Sequence, residues 1–367
     1  MRKLVKHVQR VIPFLLLLPL ILMACSSSSR SSSEPAAPGA PAITQTEMES
    51  PDTLPAETFG EYLAMTCPGP IIPGLFEAAI PQGLAYIPAA DIFIISNYMF
   101  DGRTAVLFLV NAASLQLEKS IWLYDRDGST HTGHMGGVAV SPHSLWIASS
   151  KYFYRLPLEQ ILHAEDGAEL KLPEPLKTEV TCSTATYADG VLYIGEFRSS
   201  DGSYSTPQSH SFDNGSSALM AAFELDPATG DLATSQFRDH FVYPDYFLSI
   251  PDEVQGEVFY NGHIILSRSY GRTNNSRLSV YASPLGSPAE DSFSFPDGPT
   301  VPVWHLDSTQ HVKTVTAPPM TEGITLFSGE FALLFESAAD KYRRTARYPQ
   351  DRLHIISPEL LTTDNSQ

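Results

Sequence analysis

The chain has 367 residues, 43% of them hydrophobic and 10% aromatic, enough to bury one large core or two modest ones. Asp and Glu outnumber Lys and Arg by 41 to 23, which leaves no basic footprint and excludes nucleic acid as a partner. Three cysteines without a CxxC pair exclude a disulfide-dense miniprotein and a thiolate zinc site.

The chain opens with a basic stretch, MRKLVKHVQR, and an apolar run, VIPFLLLLPLILMA, interrupted by Pro13 and Pro19 and shorter than a membrane span requires. Residues 1–24 read as a signal peptide. The run ends in Leu22-Met23-Ala24-Cys25, which resembles the bacterial lipobox. That resemblance implies that Cys25 is diacylated and becomes the mature N-terminus, holding the protein to a membrane of the cell envelope. Ser26, standing where Asp would retain a lipoprotein at the inner membrane, implies the outer membrane in a Gram-negative cell. Residues 25–55 are rich in Ser, Pro and Ala and cannot bury enough surface to offset their ordering entropy, so they read as a flexible tether.

From residue 56 the chain reads as one domain. A short helix is expected over Glu57–Met65 and a turn or two of helix at Leu158–Ala164; the rest is β. One unit recurs, starting at Gln82, Gly136, Ser183, Gln255 and Glu322, with spacings of 54, 47, 72 and 67 residues. Each copy is a short strand, a turn rich in Gly, Pro, Asn, Asp or Ser, and a β-branched and aromatic run, the pattern of a hairpin. A third strand follows: AVLFLVNA, KYFYRLPL, LMAAFELD, RLSVYAS and RLHIIS. The expected unit is a four-stranded antiparallel blade.

This pattern is similar to the β-propeller superfamily, in particular its strictosidine-synthase-like, gluconolactonase-like and NHL-like bacterial members, over residues 70–362. The predicted fold is an all-β propeller of five blades, or six if Ser203–Pro251 hides another. Because the last copy lacks an outer strand, a segment within Gly69–Ile80 is expected to pair with RLHIIS and close the ring.

In a propeller the first strands line a channel, so the polar residues at their starts are the candidate site: Gln82, His134 with Gly136, Ser183 with Thr184, Gln255 and Glu322. Ends of second strands add Asn97, Glu196 and Glu336. Ligand binding is assigned to Gln82, Asn97, His131, His134, Gln255 and Glu322. Calcium wants 6 to 8 oxygens, for which Glu322, Glu196 and Asn97 are the candidate ligands; the alternative is that Gln82, Gln255 and Glu322 cap strand ends and hold channel water. The family resemblance implies a metal, but lactonase-like enzymes place acids and Asn where this chain has mostly Gln and Ser. In His131-Thr-Gly-His134, an imidazole oriented by Glu196 or Glu322 can serve as general base, making His134, Glu322 and Glu196 the candidates for catalysis. Nucleophile motifs such as GxSxG are absent from the sequence. Rings such as Tyr98, Tyr204 and Tyr270 either stack on sugars or fill the wedge between blades. The basic run Lys341–Arg347, with Arg352, is either an anion site or a solvated loop.

Two functions follow: a surface-anchored binder of a glycan, peptide or protein, or a calcium-dependent hydrolase or lyase of the lactonase-like type. With Cys25 acylated, Cys67 and Cys182 are the remaining pair in an exported chain and are expected to form a disulfide, with Cys67 lying over the channel mouth.

Overall fold

The computed structural model describes residues 42–49, 52–233 and 237–362. The predicted signal peptide, Cys25 and the first part of the predicted tether lie outside the described residues.

Helix α1 (Ala56–Met65) buries Phe59, Tyr62 and Met65 and leads into strand β1 (Thr66–Ile71). The first blade is β2 (Ala79–Ile87), β3 (Ile92–Met99), β4 (Ala105–Asn111) and β5 (Leu117–Tyr124). The second is β6 (Gly137–Val140), β7 (Ser144–Ser149) and β8 (Tyr152–Pro157), followed by α2 (Leu158–His163) and β9 (Glu169–Lys171), which pairs in parallel with β5. The third begins with β10 (Thr184–Ala188), β11 (Val191–Gly195) and β12 (Ala218–Glu224). A two-stranded ribbon, β13 (Phe237–Arg238) and β14 (Phe241–Val242), precedes its fourth strand β15 (Tyr246–Ile250). The fourth blade is β16 (Val254–Tyr260), β17 (His263–Arg268), β18 (Ser276–Ala282) and, after β19 (Asp291–Ser294) and β20 (Thr300–His305), β21 (His311–Ala317). The fifth is β22 (Thr321–Phe327), β23 (Glu330–Phe335) and β24 (Arg352–Ile356), before α3 (Pro358–Thr362).

These sheets form a five-bladed β-propeller, whose inner strands β2, β6, β10, β16 and β22 are neighbours in that cyclic order. Ser203–Pro251 holds no sixth blade among the described residues: it carries β12 and β15 of the third and the ribbon β13–β14 between them. The four-stranded unit also varies. The second blade has three strands plus a bridge from Phe153 to Leu176, while β20 and β19 extend the third beyond β15. The ring closes as β1 pairs antiparallel with β24, Thr66 opposite Ile356 and Cys67 opposite Ile355. The closing strand thus lies a few residues earlier than the sequence suggests, and residues 79–87 are instead the first inner strand.

Local chemistry explains the repeat. Asp189-Gly190, Asn261-Gly262 and Ser328-Gly329 each have two successive positive φ angles, the requirement of the two-residue turn that matches strand twist. Where inner strands approach, glycine is required: a Cβ on Gly83 would meet the Val138 nitrogen at 2.7 Å, and one on Gly323 the Leu84 nitrogen at 2.5 Å. Aliphatic and aromatic side chains fill the wedges between blades, as Phe153, Phe223 and Phe247 do beside the third.

The disulfide is not formed. Cys67 is exposed on the outermost strand of the fifth blade, whereas Cys182 is buried just before the inner strand of the third. An inner and an outer position on different blades cannot satisfy the reach of a disulfide. The last part of the predicted tether is also ordered by contacts: the Gln45 amide donates to the Ile71 carbonyl at 2.8 Å, and the Met48 N–H donates to Asp351 Oδ2 at 2.7 Å.

Candidate functional site

Three of the inner strands are irregular at the same place. Register shifts fall between Pro81 and Leu84, between Val254 and Gly256, and between Thr321 and Ile324. They bracket Gln82, Gln255 and Glu322. An extra residue in a strand re-aims its side chain, and all three line a cavity of about 600 Å³ with Glu336, His134, Tyr98 and Tyr342.

Glu322 and Glu336 face each other there. Burial and the Glu336 charge hold the Glu322 carboxyl well above the usual range. Glu336 is pushed up to about 7, burial outweighing the opposing pull of Lys341 and of the Gln82 amide. Two such carboxyls hold one proton between them near neutrality. The Gln82 amide donates to Glu336 Oε2 at 3.1 Å and the Gln255 amide to Glu322 Oε1 at 3.4 Å.

Beside this pair, Lys341 Nζ donates to the Tyr98 hydroxyl at 2.9 Å, and the Tyr98 and Tyr342 hydroxyls are 3.0 Å apart. The Tyr98 oxygen accepts from Lys341, and either hydroxyl of the tyrosine pair can donate to the other. Burial, then the Glu336 charge, raise the Tyr342 pKa, so the hydroxyl stays protonated. His134 stacks on Tyr98 with ring centroids 4.2 Å apart, and partial burial and the Lys341 charge lower its pKa. Arg272 lies 4.9 Å over the Tyr342 ring. At the rim, Phe197, Tyr204 and Tyr270 pack edge on or tilted at 5.5 to 6.3 Å, with Tyr204 56% exposed.

Of the sequence-predicted residues, Gln82, His134, Gln255 and Glu322 come together; Asn97, His131 and Glu196 do not line this cavity. The Asn97 amide donates to the carbonyls of Ile95 and Val106 within the first blade. His131 is buried between Asp125 Oδ1 at 2.7 Å and Ser149 Oγ at 2.9 Å, where it joins the first two blades. Glu196 is buried under the third blade, its Oε1 within hydrogen-bond distance of His210 Nδ1 at 2.7 Å and accepting from the Leu219 N–H at 2.9 Å. Without Asn97 and Glu196, the predicted calcium set shrinks to Glu322; with Glu336 beside it the cavity offers two carboxyls, both biased toward protonation and both faced by amide N–H groups. That donor set does not fit calcium.

Glu336, Lys341 and Tyr342 complete the cavity, and no motif in the sequence marks the last two as site residues. The basic run is not one patch: Lys341 joins the cavity, Arg343 pairs with Asp340 at 2.6 Å, and Arg352 pairs with Glu47.

No family model matches the chain, nor does any curated protein at significance. Among solved structures, a glutaminyl cyclase of Myxococcus xanthus is 12% identical, with 80% of this chain and 94% of that one covered and a TM-score of 0.39. A GH43 β-xylosidase/α-arabinofuranosidase from a compost microbial metagenome shows the same identity and coverages at 0.41. A putative glucose dehydrogenase of Thermus thermophilus is 12% identical, with 76% and 96% covered, at 0.36. Similarities this remote say nothing about the chemistry of this chain.

Proposed function

We propose that the chain is an envelope lipoprotein, anchored through Cys25, whose propeller binds a small hydroxyl-rich ligand, a glycan fragment, at the channel mouth. One observation carries this reading: a single cavity combines a proton-sharing carboxyl pair, two glutamine amides and an aromatic rim. The first two accept from and donate to hydroxyl groups, and the rim offers faces for the apolar side of a sugar ring. With one proton on the pair, Lys341 and Arg272 leave the cavity slightly positive, which suits a neutral or singly anionic ligand.

A hydrolase or lyase is the second reading, favoured by the Tyr342 hydroxyl beside the carboxyl pair, an arrangement that can give a proton at one atom and take one at another. Its calcium requirement is dropped, because the donor set does not fit that ion. The test is calorimetric titration of neutral and uronic oligosaccharides into residues 42–367 and into its Glu322→Gln variant. Saturable binding weakened about tenfold or more in the variant supports the reading. Equal binding in both proteins, or none to any sugar, overturns it. Product formation during the titration selects the second reading.

A further inference from the structure

A second cavity, of about 640 Å³, lies between the third and fourth blades and shares only Tyr270 with the channel mouth. Its wall is built on a conflict. Arg268 and Arg277 are direct cross-strand partners of β17 and β18, so two guanidinium groups sit opposite each other in the ladder. Like charges so placed destabilise a sheet unless something neutralises them.

Arg277 is neutralised: its Nη2 donates to Glu253 Oε2 at 2.5 Å. Arg268 is not. Its Nε donates to the Asp252 carbonyl at 2.9 Å, and it interacts with the Tyr281 hydroxyl. Among the described residues no carboxylate lies within 4 Å of it. The nearby acids are engaged elsewhere: Asp252 pairs with Arg198, and the other oxygen of Glu253 accepts from Ser200 at 2.6 Å. Asp307, the third acid on the lining, accepts from the Thr309 N–H at 2.7 Å. A second donor faces the same deficit, since Nδ2 of Asn214, a residue of this wall, is buried with no acceptor among the described residues.

A half-buried guanidinium and an unpaired amide on one cavity call for an oxyanion. We propose that this cleft binds a phosphate, sulfate or carboxylate group, held by the fork of Arg268 with Asn214 and Tyr281 beside it. The inference does not rest on the channel-mouth reading, and the two fail separately.

Sodium phosphate and glucose 6-phosphate are each titrated calorimetrically into residues 42–367 at low ionic strength, with sodium chloride as the control. Saturable binding of either at one site is expected, and the tighter of the two identifies a free ion or a group carried on a sugar. Arg268→Gln should weaken it at least about tenfold, while Arg268→Lys, which keeps the charge and loses the fork, weakens it less. Arg126→Gln, an exposed arginine elsewhere, should change nothing. Should Arg268→Gln fail to fold, Arg268→Lys and Asn214→Ala carry the test. Binding no stronger than that of chloride, or equal binding in the wild type and the Arg268 and Asn214 variants, overturns the proposal.

Discussion

The Thr184 hydroxyl lies against the Glu257 carboxyl at the junction of the third and fourth blades, close enough to bias its ionisation but outside hydrogen-bond geometry. At the corresponding inner-strand positions the other blades carry Leu84, Val138, Ala185 and Ile324. Where four blades use Gly83, Gly137, Gly256 and Gly323 to approach the next blade, the third uses Thr184. Both exceptions therefore meet at one junction.

Glu257 is fully buried, and burial lifts its pKa to about 8, the Thr184 hydroxyl opposing. Its unfolded value is about 4.5. Between those values the folded state binds more protons than the unfolded one, so stability falls as pH rises from about 4.5 to 8 and levels off above. Glu257→Gln removes that cost and should stabilise the protein by about 1–3 kcal/mol at pH 8, with little effect at pH 4.5. Denaturant melts at the two pH values check it; a variant less stable than the wild type at pH 8 contradicts the account.

At the channel mouth, the carboxyl titrating near 7 owes its position to burial, with Glu322 as its partner. Glu336→Gln removes the charge that, after burial, holds the Glu322 carboxyl up, and leaves the Gln255 amide in place. The remaining Glu322 should titrate lower. Carbon NMR of glutamate labelled at the side-chain carboxyl reads this directly, and an unmoved titration shows that the two groups are not coupled.

How far all this was legible depends on the range of the interaction. The blades were, because each hairpin is written locally: Asn261-Gly262 sits between two apolar runs and needs no other blade to turn. The starts of the inner strands were as well, since Gln82, Gln255 and Glu322 each precede a run with period two and a Gly that admits the next blade. What was not legible depends on which blade faces which loop. His131 and Asn97 look like site residues by position, but their partners, Ser149 and the Val106 carbonyl, are set by tertiary packing. Lys341 and Tyr342 belong to a run whose charges suggest a solvated loop, and only the fold brings them to Tyr98, more than 240 residues away. A count of cysteines carries no information that β1 is an outer strand, far from Cys182.

That outer position has a chemical consequence. Cys67 is exposed, and Cys182 is fully buried with its thiol pushed well up by burial. In residues 42–367, a thiol reagent should label one cysteine in the native protein and a second only on unfolding. Mass mapping that finds Cys182 labelled as fast as Cys67 contradicts the placement.

Closure of the ring by β1 predicts the effect of its loss. Removing residues 1–71 strips the partner from β24 and also the packing of Tyr62, whose hydroxyl lies 2.6 Å from His354 Nδ1. An unpaired apolar edge is a template for association. Light scattering should find the truncated chain self-associated. A monomer with an unchanged melting temperature means that another segment closes the fifth blade.

The last prediction concerns the loop between β11 and β12, which carries Tyr204 to the channel rim and is pinned by one histidine. His210 is fully buried, with Nδ1 2.7 Å from Glu196 and Nε2 3.5 Å from Glu179. Burial pulls its pKa down, but the hydrogen bonds and charges of Glu179 and Glu196 outweigh it and bring the value up to about 9. Against an unfolded value of about 6.5, its contribution is fully present below pH 6.5 and is lost as pH rises through 9. Glu257 is only half titrated at pH 8, and the buried Cys182 thiol adds its own loss toward pH 9.5, so His210 is isolated by comparing the wild type with His210→Gln over the interval from 8 to 9.5. The wild type should lose about 1–2 kcal/mol more than the variant across it. His210→Gln should be less stable at pH 7, because Glu196 loses its charged partner, and should show a flatter profile from 8 to 9.5. Parallel profiles for the two proteins mean that His210 is neutral in the folded state and that the loop is held by packing alone.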